Sequence, residues 1–111
     1  MLDEMTFRKH AEAALEALKK SLLAAEEDGG FEVEEQNGVL NVLFDDDSPK
    51  FVFTPNTPVR QVWISAQSTS FKLDWSESTH AFTLPRTGED LRSLTQRLLR
   101  EQLDDNSLTL D

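Results

Sequence analysis

A chain of 111 residues suits one domain with a modest core, and the absence of cysteine excludes disulfides, thiolate catalysis and cysteine-bound zinc or iron–sulfur centres. The formal charge of −10, from 21 acids against 11 bases, argues against nucleic acid, whose binding requires cations to replace phosphate counterions. No apolar run approaches the about 18 residues a membrane span needs, and Asp3 and Glu4 with no apolar stretch behind them do not read as a targeting segment. A cytoplasmic protein that crosses no membrane is therefore expected.

The first element is helical, from about Asp3 to Ala25. Phe7, Ala11, Ala14, Leu18, Leu22 and Ala25 follow steps of three and four and form one apolar stripe. Gly29-Gly30 ends it. The period then changes to two. Phe31 and Val33 alternate with Glu32 and Glu34 in a first strand, and Asn37-Gly38 predicts a tight hairpin into a second, "VLNVLF".

"DDDSP" turns the chain into a third strand, "KFVFT", and "TPNTP" is expected to break the pattern before a fourth, "VRQVWIS". The polar run Ala66 to Ser70 leads to a fifth, "FKLDW", with a short sixth, "HAFTL", after it. A second helix is expected from near Thr87, whose hydroxyl would cap it, with Leu91, Leu94, Leu98 and Leu99 buried. Leu108 and Leu110 of the tail would lie in a groove. Helix, strands, helix gives an α+β fold: two layers, an antiparallel sheet of five or six strands with both helices on one face.

Charge is distributed unevenly. Residues 1–47 hold 13 acids and four bases, and no base occurs between Lys20 and Lys50. Such a surface suits cations or a basic protein, or serves only as a solvated rim. Carboxylate oxygens accept hard ions without help from histidine or cysteine, and a bound cation relieves their mutual repulsion. Asp45-Asp46-Asp47 does not continue as a calcium loop, since Pro49 and Lys50 fall where a ligand and the glycine belong. His10 is a secondary metal candidate beside its structural reading, and His80 has no partner motif. No nucleophile–base order, phosphate loop or His-Glu-x-x-His motif suggests an enzyme.

The stretch Gln61-Val62-Trp63-Ile64-Ser65 sets a tryptophan on the face opposite Val62 and Ile64. If those two face the helices, Trp63 lies on the open side of the sheet. There it either covers that face or anchors a partner.

The order of elements, the acidic first helix and strand, and "QVWIS" together resemble the frataxin family. Gln61 to Ser65 match that family's Gln-(Ile/Val)-Trp-(Leu/Ile)-(Ser/Ala) strand, and Pro58 and Asp74-Trp75 fit the same alignment. The length resembles the bacterial branch. The chain departs from the family in having Thr54-Pro55-Asn56 where Asn-x-Gln is usual, and Ser68-Thr69-Ser70 where a glycine is common. Lys19-Lys20 stand near the end of the first helix, where bacterial members are acidic.

The resemblance implies a single frataxin-like domain over residues 1–111. It implies weak binding of Fe2+ and Fe3+ by Glu26, Glu27, Asp28, Glu32 and Glu34, with Asp3, Glu4 and His10 in second rank. It further implies docking on the cysteine desulfurase and scaffold protein of iron–sulfur cluster assembly, with Trp63 as anchor and Gln61, Ser65, Asn56 and Arg60 as its rim. The expected protein is a non-enzymatic, monomeric regulator, with self-association under excess iron as a further expectation. The alternatives are a metal-independent adaptor of the same machinery and an iron store or ferroxidase.

Overall fold

The computed structural model describes residues 2–27 and 29–111. Helix α1 (Glu4–Glu26) is followed by β1 (Phe31–Gln36), β2 (Val39–Phe44), β3 (Phe51–Asn56), a 3-10 turn (Thr57–Val59), β4 (Gln61–Ala66), β5 (Thr69–Ser76), β6 (Ala81–Thr83) and α2 (Leu91–Leu103). The six strands form one antiparallel sheet in chain order. Both helices contribute to a single core with the inner face of that sheet. The expected two-layer α+β architecture is the one observed.

Asp3 caps α1 by accepting the Thr6 N–H at 2.7 Å, and the helix buries Phe7, Ala11, Leu15, Leu18, Leu22 and Ala25. Leu15 takes the central place expected for Ala14, which is only partly buried. After α1 the chain reverses through Gly29 and Gly30, both at positive φ. The φ of 95° at Gly30 favours glycine, and a Cβ there would also press on a Leu103 methyl at the end of α2, 3.1 Å away.

Asn37 and Gly38 take the paired positive φ values of a two-residue hairpin, as their sequence predicts. The next expectation is corrected. "TPNTP" does not end the third strand, which runs through Pro55 to Asn56. Pro55 faces Val62 of β4 but lies past Phe53, the last residue of β3 registered with β2. It therefore occupies an edge-like position, the kind a sheet offers proline.

The second helix also starts later than expected. Asp90, not Thr87, caps it, accepting the Ser93 N–H at 2.8 Å. Up to that point the chain folds back in a tight turn, the Gly88 N–H bonding the Leu84 carbonyl at 2.8 Å. The turn is closed by the Leu84 N–H bond to the Glu89 carbonyl at 2.8 Å and by a bridge between Thr83 and Asp90. Thr87 instead donates its hydroxyl to the Glu89 carboxylate. Inside α2 the buried Thr95 hydroxyl is satisfied by the Leu91 carbonyl at 2.7 Å.

The tail closes the helix layer. Leu108 and Leu110 are buried, as expected for a groove. Arg100 donates to the Leu108 carbonyl, Arg92 to the Leu110 carbonyl, and the Leu110 N–H to Gln96. From α1, the Ser21 hydroxyl donates to the Asp111 carbonyl.

Candidate functional site

Two surfaces carry the expected site residues, and they meet along β1. The outer face of the sheet shows Glu32 and Glu34 on β1, Asn41 on β2, Asn56 on β3, Gln61, Trp63 and Ser65 on β4, and Lys72 and Asp74 on β5. Strand alternation places them there, because Phe31, Val42, Phe53, Val62, Ile64 and Leu73 are directed into the core.

Trp63 is half-buried on this open face. Its indole N–H donates to the Gln61 side-chain oxygen at 2.8 Å, and the Gln61 amide donates to Asp74 at 3.0 Å. The Lys72 ammonium lies 4.8 Å from the ring centroid, a cation over the indole face. The side chain is thus laid against the sheet and fixed, its exposed surface presented in one orientation. Ser65 lies opposite Val52 and Ser70, and Asn56 opposite Gln61, so both belong to the same face.

Arg60 does not join them. It takes a left-handed φ of 55° where the 3-10 turn ends. Its Nε donates to the Leu2 carbonyl at 3.1 Å, and its Nη1 to the Thr57 carbonyl. It ties the start of α1 to the turn before β4. Asp74, marked in the sequence only by its fit to the family alignment and not as a site residue, orients Gln61. Its position two residues after Lys72 on β5, at the same parity, is the signal that would have found it.

The acids occupy the other surface. Glu32 and Glu34 are exposed on the outer face of β1, and Glu27 is exposed at the end of α1. Asp28 lies outside the described residues. Glu26 has a structural partner: its carboxylate accepts the backbone N–H of Val33 at 2.8 Å. Glu35 pairs with Lys19 of α1 at 2.8 Å, and that hydrogen bond is the main reason the ammonium holds its proton more tightly than usual.

The second-ranked candidates are elsewhere. Asp3 and Glu4 stand at the opposite end of the 23-residue α1, roughly 30 Å from Glu26 along a helix of that length. Asp3 is committed as a cap, and the Thr6 backbone hydrogen bond holds its carboxyl below the usual range. Glu4 pairs with Arg8 at 3.3 Å. His10 stacks on Trp75. Among the described residues no three His, Asp or Glu side chains converge on a point that would hold an ion. The ridge is a row of separate carboxylates open to water. Such donors suit a hard cation held by one or two oxygens with most of its hydration kept.

Residues 1–105 match the family model described as a frataxin-like domain. The chain is 30% identical over 103 residues to the iron-sulfur cluster assembly protein CyaY of Pseudomonas fluorescens, covering 93% of this chain and 91% of that protein. It is 31% identical over 101 residues to the CyaY of Pseudomonas entomophila, covering 91% and 89%. A frataxin from Psychromonas ingrahamii superposes with a TM-score of 0.81 at 14% identity, over 99% of this chain and 97% of that one. That last likeness bears on the fold, while the family match and the sequence identities bear on descent: the chain belongs to the frataxin-like family.

Proposed function

We propose that this protein is a cytoplasmic, non-enzymatic regulator of iron–sulfur cluster assembly that binds iron weakly on its acidic ridge and docks on a cysteine desulfurase and its scaffold. The observation that carries the metal reading is the base-free run from Ser21 to Pro49, which holds Glu26, Glu27, Asp28, Glu32, Glu34, Glu35 and Asp45 to Asp47. Family membership and the name shared by the Pseudomonas relatives support the assembly role. The oriented Trp63, with Gln61, Ser65 and Asn56 beside it, supplies the docking anchor: a large aromatic surface already fixed loses little freedom on binding. Arg60 is left out of this rim because its guanidinium is occupied at Leu2 and Thr57.

Iron on this surface is cargo or signal, not a resident cofactor. Separate exposed carboxylates hold it weakly, with an affinity that falls as salt screens them. The engagement of Glu26 by Val33 favours a second reading, in which the ridge serves only as an acidic contact for the same machinery. Anaerobic titration with Fe(II), followed by admission of oxygen, separates the two. Binding without rapid turnover, with Mn(II) broadening of NMR signals centred on residues 26–34, is the expected result. Broadening confined to residues 51–100 overturns the ridge assignment, absence of any binding leaves the adaptor, and rapid oxidation with large mineral-bearing assemblies makes it a store.

A further inference from the structure

The strand order leaves β1 at one edge of the sheet and β6 at the other, and the two edges are treated differently. The β6 edge is covered by the Thr83–Asp90 bridge and by the bond from the Leu84 N–H to the Glu89 carbonyl. Among the described residues no such strand lies beside the β1 edge. Because the Val33 N–H is bonded to Glu26 of α1, Val33 forms a non-hydrogen-bonded pair with Val42 in the antiparallel ladder. By alternation the backbone groups of Glu35 point outward as well, and Gln36 and Val39 close the hairpin inside. Residues 34 to 36 are exposed. An edge of this kind is a template for another extended chain, and natural sheets block it with charge or cover.

We propose that the β1 edge takes up an extended basic segment of a protein partner as an added strand, and that Glu26 is the latch that closes this edge in the free protein. The charge of the surroundings fixes the class of occupant. Glu32, Glu34 and Glu35 line the edge, and Lys19 is the one base paired there among the described residues. A segment alternating Lys or Arg with small residues would place its cations on the outer face, over Glu32 and Glu34, while its backbone bonds Val33 and Glu35. A second copy of this chain is disfavoured, since two such edges would face acid with acid. Release of the latch costs one hydrogen bond, which the incoming carbonyl replaces at the same Val33 N–H. The proposal holds whether or not the ridge carries iron.

The test uses a short, end-blocked peptide alternating lysine with threonine, and the same peptide N-methylated at alternate residues, titrated calorimetrically onto the full chain. The unmodified peptide is expected to bind at least about tenfold more tightly than the methylated one, which has equal charge but cannot complete the ladder. Glu26→Ala, which frees the Val33 N–H, is expected to bind about threefold more tightly despite losing a negative charge, whereas Glu26→Gln keeps an acceptor and gains nothing. Glu35→Pro removes an outward N–H at an edge position that tolerates proline, and should lose binding well beyond Glu35→Gln. Hydrogen exchange of the Glu35 amide should slow on binding. The proposal is overturned if both peptides bind alike, or if Glu26→Ala weakens binding as a loss of charge alone would. Equality of the methylated and unmodified peptides decides the matter even if the proline variant does not fold.

Discussion

The imidazole of His10 lies flat on the indole of Trp75, ring centroids 3.9 Å apart and planes 11° from parallel. His80 meets the same indole edge-on at 6.1 Å, and Phe82 at 5.2 Å. Both histidines of the chain are thus engaged on one tryptophan. This assigns His10 to the contact between α1 and the sheet. Trp75 is partly buried against the core, and among the described residues its enclosed indole N–H meets no acceptor.

The two tryptophans should therefore respond differently to truncation. Trp75→Ala removes the hub of an aromatic cluster and is expected to cost about 3–5 kcal/mol. Trp63→Ala, on the open face, should cost about 1 kcal/mol while sharply weakening binding to the desulfurase–scaffold complex. Urea midpoints of the two variants, followed by a pull-down, check this. Equal destabilisation would place Trp63 in the core and remove it as an anchor.

The ridge carboxylates should divide in the same way. Glu26→Ala breaks a partly buried charge-assisted bond and should destabilise by about 1–2 kcal/mol. Among the described residues Glu27, Glu32 and Glu34 are exposed, and no such bond of theirs is there to lose. Their joint replacement by Gln should raise the melting temperature in low salt and weaken Mn(II) binding, with the thermal gain fading near 1 M salt. Calorimetric scans at two salt concentrations give the comparison, and a lower melting temperature for the triple variant would show those carboxylates to be structural.

The hairpin between β4 and β5 turns through Gln67 (φ 52°) and Ser68 (φ 62°), both left-handed and neither glycine. The Asn37-Gly38 turn makes the same reversal with residues suited to it. Ser68→Gly should relieve about 1 kcal/mol and raise the melting temperature by about 4 °C. No gain in a thermal melt would mean that the hairpin's own contacts already offset the strain.

Acid should act on Glu89. The fork of Arg97 holds its carboxyl below the ordinary 4.5, with Nε at 2.8 Å and Nη2 at 3.1 Å, and Thr87 adds a further hydrogen bond. Because the folded value lies below the unfolded one, the stability this pair contributes is present above about pH 4.5 and is lost as pH falls through the folded value. Urea midpoints measured from about pH 6 to 3 should decline less steeply for Glu89→Gln than for the natural chain. Parallel curves would show that the pair is no tighter folded than unfolded.

The α1 stripe, the Asn37-Gly38 turn and the face assigned to Trp63 were legible because each rests on local periodicity or on a dipeptide of narrow conformational preference. The start of α2 was not. Thr87 is a good cap by type, but it sits inside the turn that the Thr83–Asp90 bridge closes, so the helix begins only after that turn is complete. Pro55 misled for a related reason: whether proline breaks a strand depends on which neighbours that strand has at that point. The ridge was legible as charge and not as geometry. The reach of Glu26 to Val33, and of Arg60 to Leu2, depends on how the helix ends meet the sheet, which no single stretch encodes.

Chain order and strand order coincide in this sheet, so every strand finds its neighbour across a single turn. Such pairings close short loops and need little ordering of the intervening chain, whereas the bond between Ser21 and Asp111 joins residues 90 apart in sequence. In kinetic terms, the hairpins belong early and the clasp of the tail across α1 late. Strengthening the β4–β5 turn should therefore speed refolding, while truncating Leu110 should leave refolding nearly unchanged and shorten the lifetime of the folded state.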